Sequence, residues 1–308
     1  LLIVTALGGS LFISLRAMQE VTTGMTDHVI PVEDELAGIS DALAGAFEWQ
    51  SRLNATEDVE SYQAVLESRQ EGELDEHLER LRGALMEAGA SEAARGRLDG
   101  LDDDLLAFRQ QQAALSSSVG RRHDLNQRFN TRVVEVNAEL GSFLQQLESL
   151  QGRVRLDYVS KLAALDSKVT QATATAITQG TDRATYDALQ DLRPEAIRIG
   201  LQLGKIGLTN DLDSLNSIVA NEVGPTVGSV TRRLDDIQEF VADDPTYSAE
   251  VTQLREAFMR IVDLGSDDSE ESLRGLRRSI LDELAAAAET RDAFQRTASR
   301  LMEMRSAD

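Results

Sequence analysis

The chain has 308 residues, with 53 acidic side chains against 31 basic ones, for a formal net charge of −22. That balance argues against DNA, RNA and anionic lipid headgroups as partners, because each needs a basic footprint. Hydrophobic residues at 42% are enough for a folded core, and the lack of cysteine removes disulfides, thiolate metal sites and cysteine nucleophiles.

The sequence opens on LLIVTALGGSLFISL, uncharged until Arg16. A complete membrane span needs about 20 apolar residues. Residues 1–15 are therefore expected to be the end of an N-terminal transmembrane helix; a signal-peptide core is the other reading. Residues 16–308 are expected to be one all-helical extracytoplasmic region, with a second span beyond Asp308.

Helical spacing dominates the rest. Its clearest run is Phe129, Val133, Val136, Leu140, Phe143, Leu147, Leu150 and Val154, stepping by four and three as in a bundle seam. Breaks are sparse. Asn54-Ala55-Thr56-Glu57-Asp58, Gly89 before Ser91, Gly180 before Asp182, and Gly207 through Asp211 each combine turn and N-cap chemistry. Asp243-Asp244-Pro245 is the sharpest stop, and Gly265 to Ser269 interrupts the last helical stretch. Pro31, Pro194 and Pro225 are read as kinks or first turns.

These breaks predict six helices: Arg16–Asn54, Asp58–Ala88, Ser91–Thr178, Asp182–Gly207, Thr209–Val241 and Thr246–Met304. At 1.5 Å per residue the third would reach roughly 130 Å and the sixth nearly 90 Å, far beyond the rest. The expected fold is all-α: two stacked, nested four-helix bundles sharing the two long helices. The membrane-proximal bundle is expected to take residues 16–138 and 265–308, and the membrane-distal one residues 139–264.

No phosphate loop, dinucleotide fingerprint, nucleophile elbow or zincin motif occurs, so no catalytic residue is assigned. His28, His77 and His123 lack ligand spacing and read as surface or interface residues; no metal or cofactor is expected. The acidic pairs lack a calcium-loop pattern and read as solvated faces or caps. Trp49, the only tryptophan, reads either as packing or as a ligand-stacking wall. Arg121 and Arg122 read as surface ion pairs or as a clamp for a carboxylate ligand. Gly200, Gly204 and Gly207 suit a close helix approach or a movable hinge for signal transmission.

The order and spacing of short motifs resemble the sensor region of the trimethylamine-N-oxide sensor histidine kinase family. The resemblance runs from Ile30-Pro31 through Ala46-Phe47-Glu48-Trp49, the turn at Asn54 to Asp58 and Leu81-Arg82-Gly83-Ala84-Leu85. It continues through Phe108-Arg109-Gln110-Gln111-Gln112-Ala113-Ala114-Leu115 and Leu201-Gln202-Leu203-Gly204 to Asp243-Asp244-Pro245. More loosely, the layout is similar to the helical bimodular domains of bacterial chemoreceptors. The first resemblance implies a homodimer in the bacterial inner membrane, with this region in the periplasm and a kinase module outside this sequence. It implies that a periplasmic substrate-binding protein holds the small molecule and docks on the membrane-distal part. The loops expected at that tip offer Gly180, Thr181, Asp182, Arg183, Asp243, Asp244 and Tyr247. The alternative is a chemoreceptor domain that binds a small organic acid directly, using Arg121, Arg122 and Trp49. A continuous structural coiled coil is disfavoured by the breaks at Gly89, Gly180, Gly207 and Pro245.

Overall fold

The computed structural model describes residues 30–56, 58–68, 72–87, 92–164 and 181–306, and among them there is no strand. In chain order the helices are α1 (Ile30–Asn54), α2 (Val59–Glu67), α3 (Glu73–Glu87), α4 (Glu92–Ala164) and α5 (Thr181–Ile206). Then come α6 (Leu212–Ile218), a π-helical turn (Val219–Val223), α7 (Gly224–Phe240), α8 (Pro245–Gly265) and α9 (Leu273–Ser306). The apolar opening, residues 1–15, lies outside the described residues, as does Gly180. No described helix is long and apolar enough to cross a membrane.

The starts follow local chemistry. Asp58, Asp211 and Asp244 each turn an extended backbone into a helix by accepting hydrogen bonds from the amides of its first turn. Backbone and side-chain donors from Ser61 and Ser214 hold the Asp58 and Asp211 carboxyls below the usual carboxylate range. Pro245 is the first residue of α8, where its missing N–H costs nothing. Pro225 has a different effect. Its ring would crowd the carbonyl of Asn221 in a regular helix, and the wide π-turn through Val219–Val223 sits where that clash would fall.

Two compact units divide the chain: residues up to His123 with those from Ala285 onward, and Asp124–Leu284. The second is thus inserted within the first in sequence, and α4 and α9 contribute residues to both. The sequence-based borders lay at 138/139 and 264/265; the observed ones lie earlier in α4 and later in α9. The reason is visible at the α8–α9 connection. The loop after Gly265 is pinned by the Ser272 hydroxyl, which donates to Asp267 O at 2.6 Å and accepts from the Gly275 amide at 3.0 Å. The first turns of α9 then bury Leu273, Leu276, Ile280 and Leu281 in the core of the second unit.

In the first unit, Ile39, Leu43, Leu78, Leu81, Leu101, Leu105 and Phe108 pack with Phe294, while Trp49, Leu53, Val65, Leu115 and Val119 form a second cluster. The expected helix Asp58–Ala88 is in fact α2 and α3, with Gly72 between them at φ 103°, a conformation that side chains disfavour. Gly38 of α1 is required for another reason: a Cβ there would run into the His77 ring.

In the second unit α4, α5, α7 and α8 surround an aliphatic core with Phe143 and Phe258 at its centre. Across the turn between α5 and α6, Arg277 donates from Nε to the Thr209 carbonyl at 3.0 Å, and from Nη2 to the same oxygen. Half-burial lowers its pKa, yet a guanidinium keeps its charge, so Arg277 ties the start of α9 to the turn after α5 through charge-assisted bonds. Arg277→Ala is expected to lower stability by about 1–3 kcal/mol in urea unfolding. Arg277→Lys should recover part of that loss.

Candidate functional site

The first unit holds a cavity of about 470 Å³ lined by α1, α4 and the start of α3. From α1 come Trp49 and, on the same side, Glu48 and Arg52; from α4 come Phe108, Arg109 and Gln112. Trp49 is buried, and its indole Nε1 donates to the Val65 carbonyl of α2 at 2.8 Å, which fixes the plane of the ring. The cavity and the unexpected helix break share one origin. Ser68 and Gly72, on either side of the interruption between α2 and α3, both lie on its rim, opposite the largely buried Phe108 and Gln112 of α4. On the rim Arg109 is ion-paired with Asp75.

Trp49 therefore is a cavity wall, but the structure does not bring it together with the arginines expected to share its site. Arg121 is exposed and donates to Ser117 Oγ of its own helix at 2.9 Å. Arg122 is half-buried, and desolvation lowers its pKa. Among the described residues the cations at the cavity are Arg52 and Arg109. Arg52 was within reach of sequence reasoning, because it follows Trp49 by three residues on a helix. Glu73 was not, because it arrives through the packing of α3.

His123, read as a surface or interface residue, is only 5% exposed. Thr56 gives its hydroxyl proton to Leu53 O at 2.7 Å, so its oxygen accepts from His123 Nε2–H at 2.9 Å. The imidazole also lies 5.4 Å from the Tyr62 ring. This is a tie between the end of α1 and α4; Thr56 and His123 are both closed off from any substrate. Burial first, and then the Arg122 cation, hold its pKa below the ordinary value near 6.5, with Asp58 opposing them. The folded chain thus prefers neutral imidazole, and the unfolded chain takes up the proton first as pH falls. This contribution is full above pH 6.5 and shrinks as pH drops towards the lowered folded value. His123→Gln, which keeps a donor, should show a shallower loss of stability below neutrality than the parent when unfolding is followed against pH. His77 pairs through Nδ1 with Glu35 at 2.6 Å, and His28 is outside the described residues. Among the described residues no three His, Asp or Glu side chains gather as a metal site.

In the second unit, Asp244 accepts from the amides of Thr246 at 3.0 Å and Tyr247 at 3.3 Å. The Tyr247 hydroxyl donates to Asp157 of α4, and beside it Arg153 pairs with Glu250. Burial, and then the Asp157 carboxylate, push the Tyr247 phenol above its usual range. The α7–α8 turn is thereby clipped to α4, and Asp243 is left exposed. Ser229 donates to Glu195 at 3.1 Å and Arg233 pairs with Asp191 at 3.0 Å, which sets α5 and α7 antiparallel. The same register carries the start of α5 to the end of α7. There Arg183 is exposed and pairs with Asp187 at 3.6 Å. Thr181 and Asp182 belong to the first turn of α5, and their side chains lie outside the described residues.

Gly200 and Gly204 of α5 and Gly207 just after it differ. A Cβ at Gly200 would press on Leu140, one at Gly207 would lie 3.2 Å from Phe129, and one at Gly204 would meet nothing within 4 Å. Gly200 and Gly207 thus admit α4 closely, and the helix runs unbroken to Ile206.

No protein-family profile and no curated protein sequence matches the chain. Solved structures do. The TorS sensor domain crystallised with TorT in the presence of TMAO has a TM-score of 0.61 at 17% identity, over 89% of this chain and 96% of that one. The fold is that of a TorS sensor domain. The sensor domain of the V. parahaemolyticus histidine kinase TorS gives a TM-score of 0.56 at 17% identity, over 90% of this chain and all of the other. The likeness to TorS spans both compact units, and at this identity it assigns a fold and carries no residue across.

Proposed function

We propose that the chain is the periplasmic sensor region of an inner-membrane signalling receptor, a histidine kinase that reads a ligand-loaded periplasmic substrate-binding protein as a homodimer. The single observation that carries this reading is the TorS likeness over 89% of the chain, in a structure where that domain is bound to TorT. The absence of catalytic motifs fits a region that transmits and does not react. The apolar opening fits a tether in the inner membrane.

The partner surface in this reading is the end of the second unit where α5 begins and α7 turns into α8: residues 180–183, Asp243, Asp244 and Tyr247. Binding there selects one packing of the helices, and a differential affinity of a few kcal/mol is enough to shift the population. Gly200, Gly204 and Gly207 are the proposed hinge for signal transmission, and of these Gly200 and Gly207 are where the chain passes close to α4.

The surface is tested by reversing exposed charges. Arg183→Glu and Asp243→Lys lie away from the core and should leave helicity intact. With the periplasmic binding protein encoded nearest to this chain, each variant should lower complex formation on size-exclusion chromatography with light scattering. A complex formed equally well by both variants would remove this surface from the reading.

A further inference from the structure

We propose that the cavity of the first unit binds a free α-amino acid with an apolar side chain. This goes beyond partner reading and stands or falls separately from it.

The cavity combines features that match the parts of such a ligand. Its apolar walls are Trp49 and Phe108, two of the chain's few aromatic residues, and both are held in place. Trp49 is fixed by its bond to Val65 O, and the Phe108 ring packs at a tilt against Phe294, with centroids 4.4 Å apart. Its charges have both signs. Arg109 and Asp75 neutralise each other. Arg52, Glu48 and Glu73 also line the cavity, and among the described residues these three form no ion pair with one another. Among the described residues, a dicarboxylate would meet two carboxylates and one guanidinium outside the Arg109–Asp75 pair, and an amine would leave that guanidinium without a partner. A zwitterion satisfies both signs: its carboxylate on Arg52 in the fork geometry guanidinium favours, its ammonium between Glu48 and Glu73. Its side chain then lies on the side of the cavity that Trp49 and Phe108 line. A volume of about 470 Å³ is within the range of small-molecule sites. The arrangement also has a consequence for the fold. Glu48 belongs to α1 and Glu73 opens α3, so an ammonium held by both joins the two helices.

Trp49 is the only tryptophan in the chain, so its emission reports this cavity alone. L-leucine is expected to change that emission saturably at concentrations below about 10 mM, with calorimetry confirming the same midpoint. N-acetyl-L-leucine, which lacks the ammonium, and L-leucine methyl ester, which lacks the carboxylate, should each bind about tenfold more weakly or worse. Arg52→Ala should weaken leucine and abolish the difference between leucine and its ester. The double variant Glu48→Gln, Glu73→Gln should abolish the difference between leucine and its N-acetyl form. All three positions are exposed, so helicity by circular dichroism should not change. Gly45→Leu supplies an independent check. Gly45 lines the cavity and a Cβ there meets nothing within 4 Å, so a larger side chain can start into it and is expected to eliminate binding. No saturable response by either method, or equal binding of the blocked forms, would overturn the proposal.

Discussion

Replacing Phe258 with alanine is expected to lower the stability of the second unit by about 3–5 kcal/mol, the largest single effect anticipated there. The ring is 1% exposed and lies 5.8 Å from that of Phe143, which is completely buried. Nearly everything else in this core is aliphatic: Leu147, Leu189, Leu192, Ile199, Leu234, Ile237 and Ile261 are all within 2% of full burial. Branched side chains on helices fill their own rotamers and cannot swing in to close a phenyl-sized void, so much of the cavity term persists. Urea unfolding should show the loss as a lower midpoint with an unchanged slope. Phe258→Leu keeps most of the volume and should cost under about 1.5 kcal/mol. Equal losses for the two substitutions would mean that the ring is not the centre of this core.

Phe294→Ala should cost a similar amount, about 3–5 kcal/mol, in the first unit. Phe294 is fully buried, lies 4.4 Å from Phe108 and meets Phe47 edge-on at 5.1 Å. Beyond area burial, each such aromatic contact adds about 0.5–1.5 kcal/mol. This substitution has a second readout that a simple core truncation would lack. Phe108 lines the same cavity as Trp49, so freeing Phe108 from this packing loosens that cavity. Tryptophan emission should move to longer wavelength in the folded variant. An unchanged emission at the expected loss of stability would show that Phe108 holds its place without Phe294.

Much of the fold could be read from the residues alone. The seam of α4 is the clearest case: Phe129, Val136, Phe143, Leu147, Leu150 and Val154 are all buried, with Val133 and Leu140 packed at its edge. Asp244-Pro245 starts α8, and Gly265 ends it, because a cap and a helix stop are decided within a few residues. Features decided by distant packing could not be read in the same way. Gly72 stands alone in the charged run Arg69 to Glu76, where a single glycine is compatible with a helix, and only its positive φ marks the break. His123 falls in line with Leu115 and Val119, yet its burial depends on a hydroxyl 67 positions away at Thr56. Pro225 signals a disturbance, but whether a helix kinks or widens by one residue depends on the neighbours of the turn.

The site divides along the same line. Trp49 was legible because a lone tryptophan in an aromatic-poor chain is conspicuous. Its charged companions were sought in the adjacent pair Arg121-Arg122, whereas the cavity takes Arg52 from the next turn of the same helix and Glu73 from α3. Proximity in sequence between like charges says little about which cations face a given cavity, since neighbours on a helix point about 100° apart.

In the proposed function this helical domain distinguishes a loaded partner from an empty one. Calorimetric titration of the chain with the neighbouring periplasmic binding protein, in ligand-saturated and ligand-free form, addresses it most directly. Because a ligand shifts an equilibrium only through differential affinity, the two forms are expected to differ at least about tenfold in Kd. Equal affinity of the two forms, or no association of either, would show that this domain does not read a loaded binding protein.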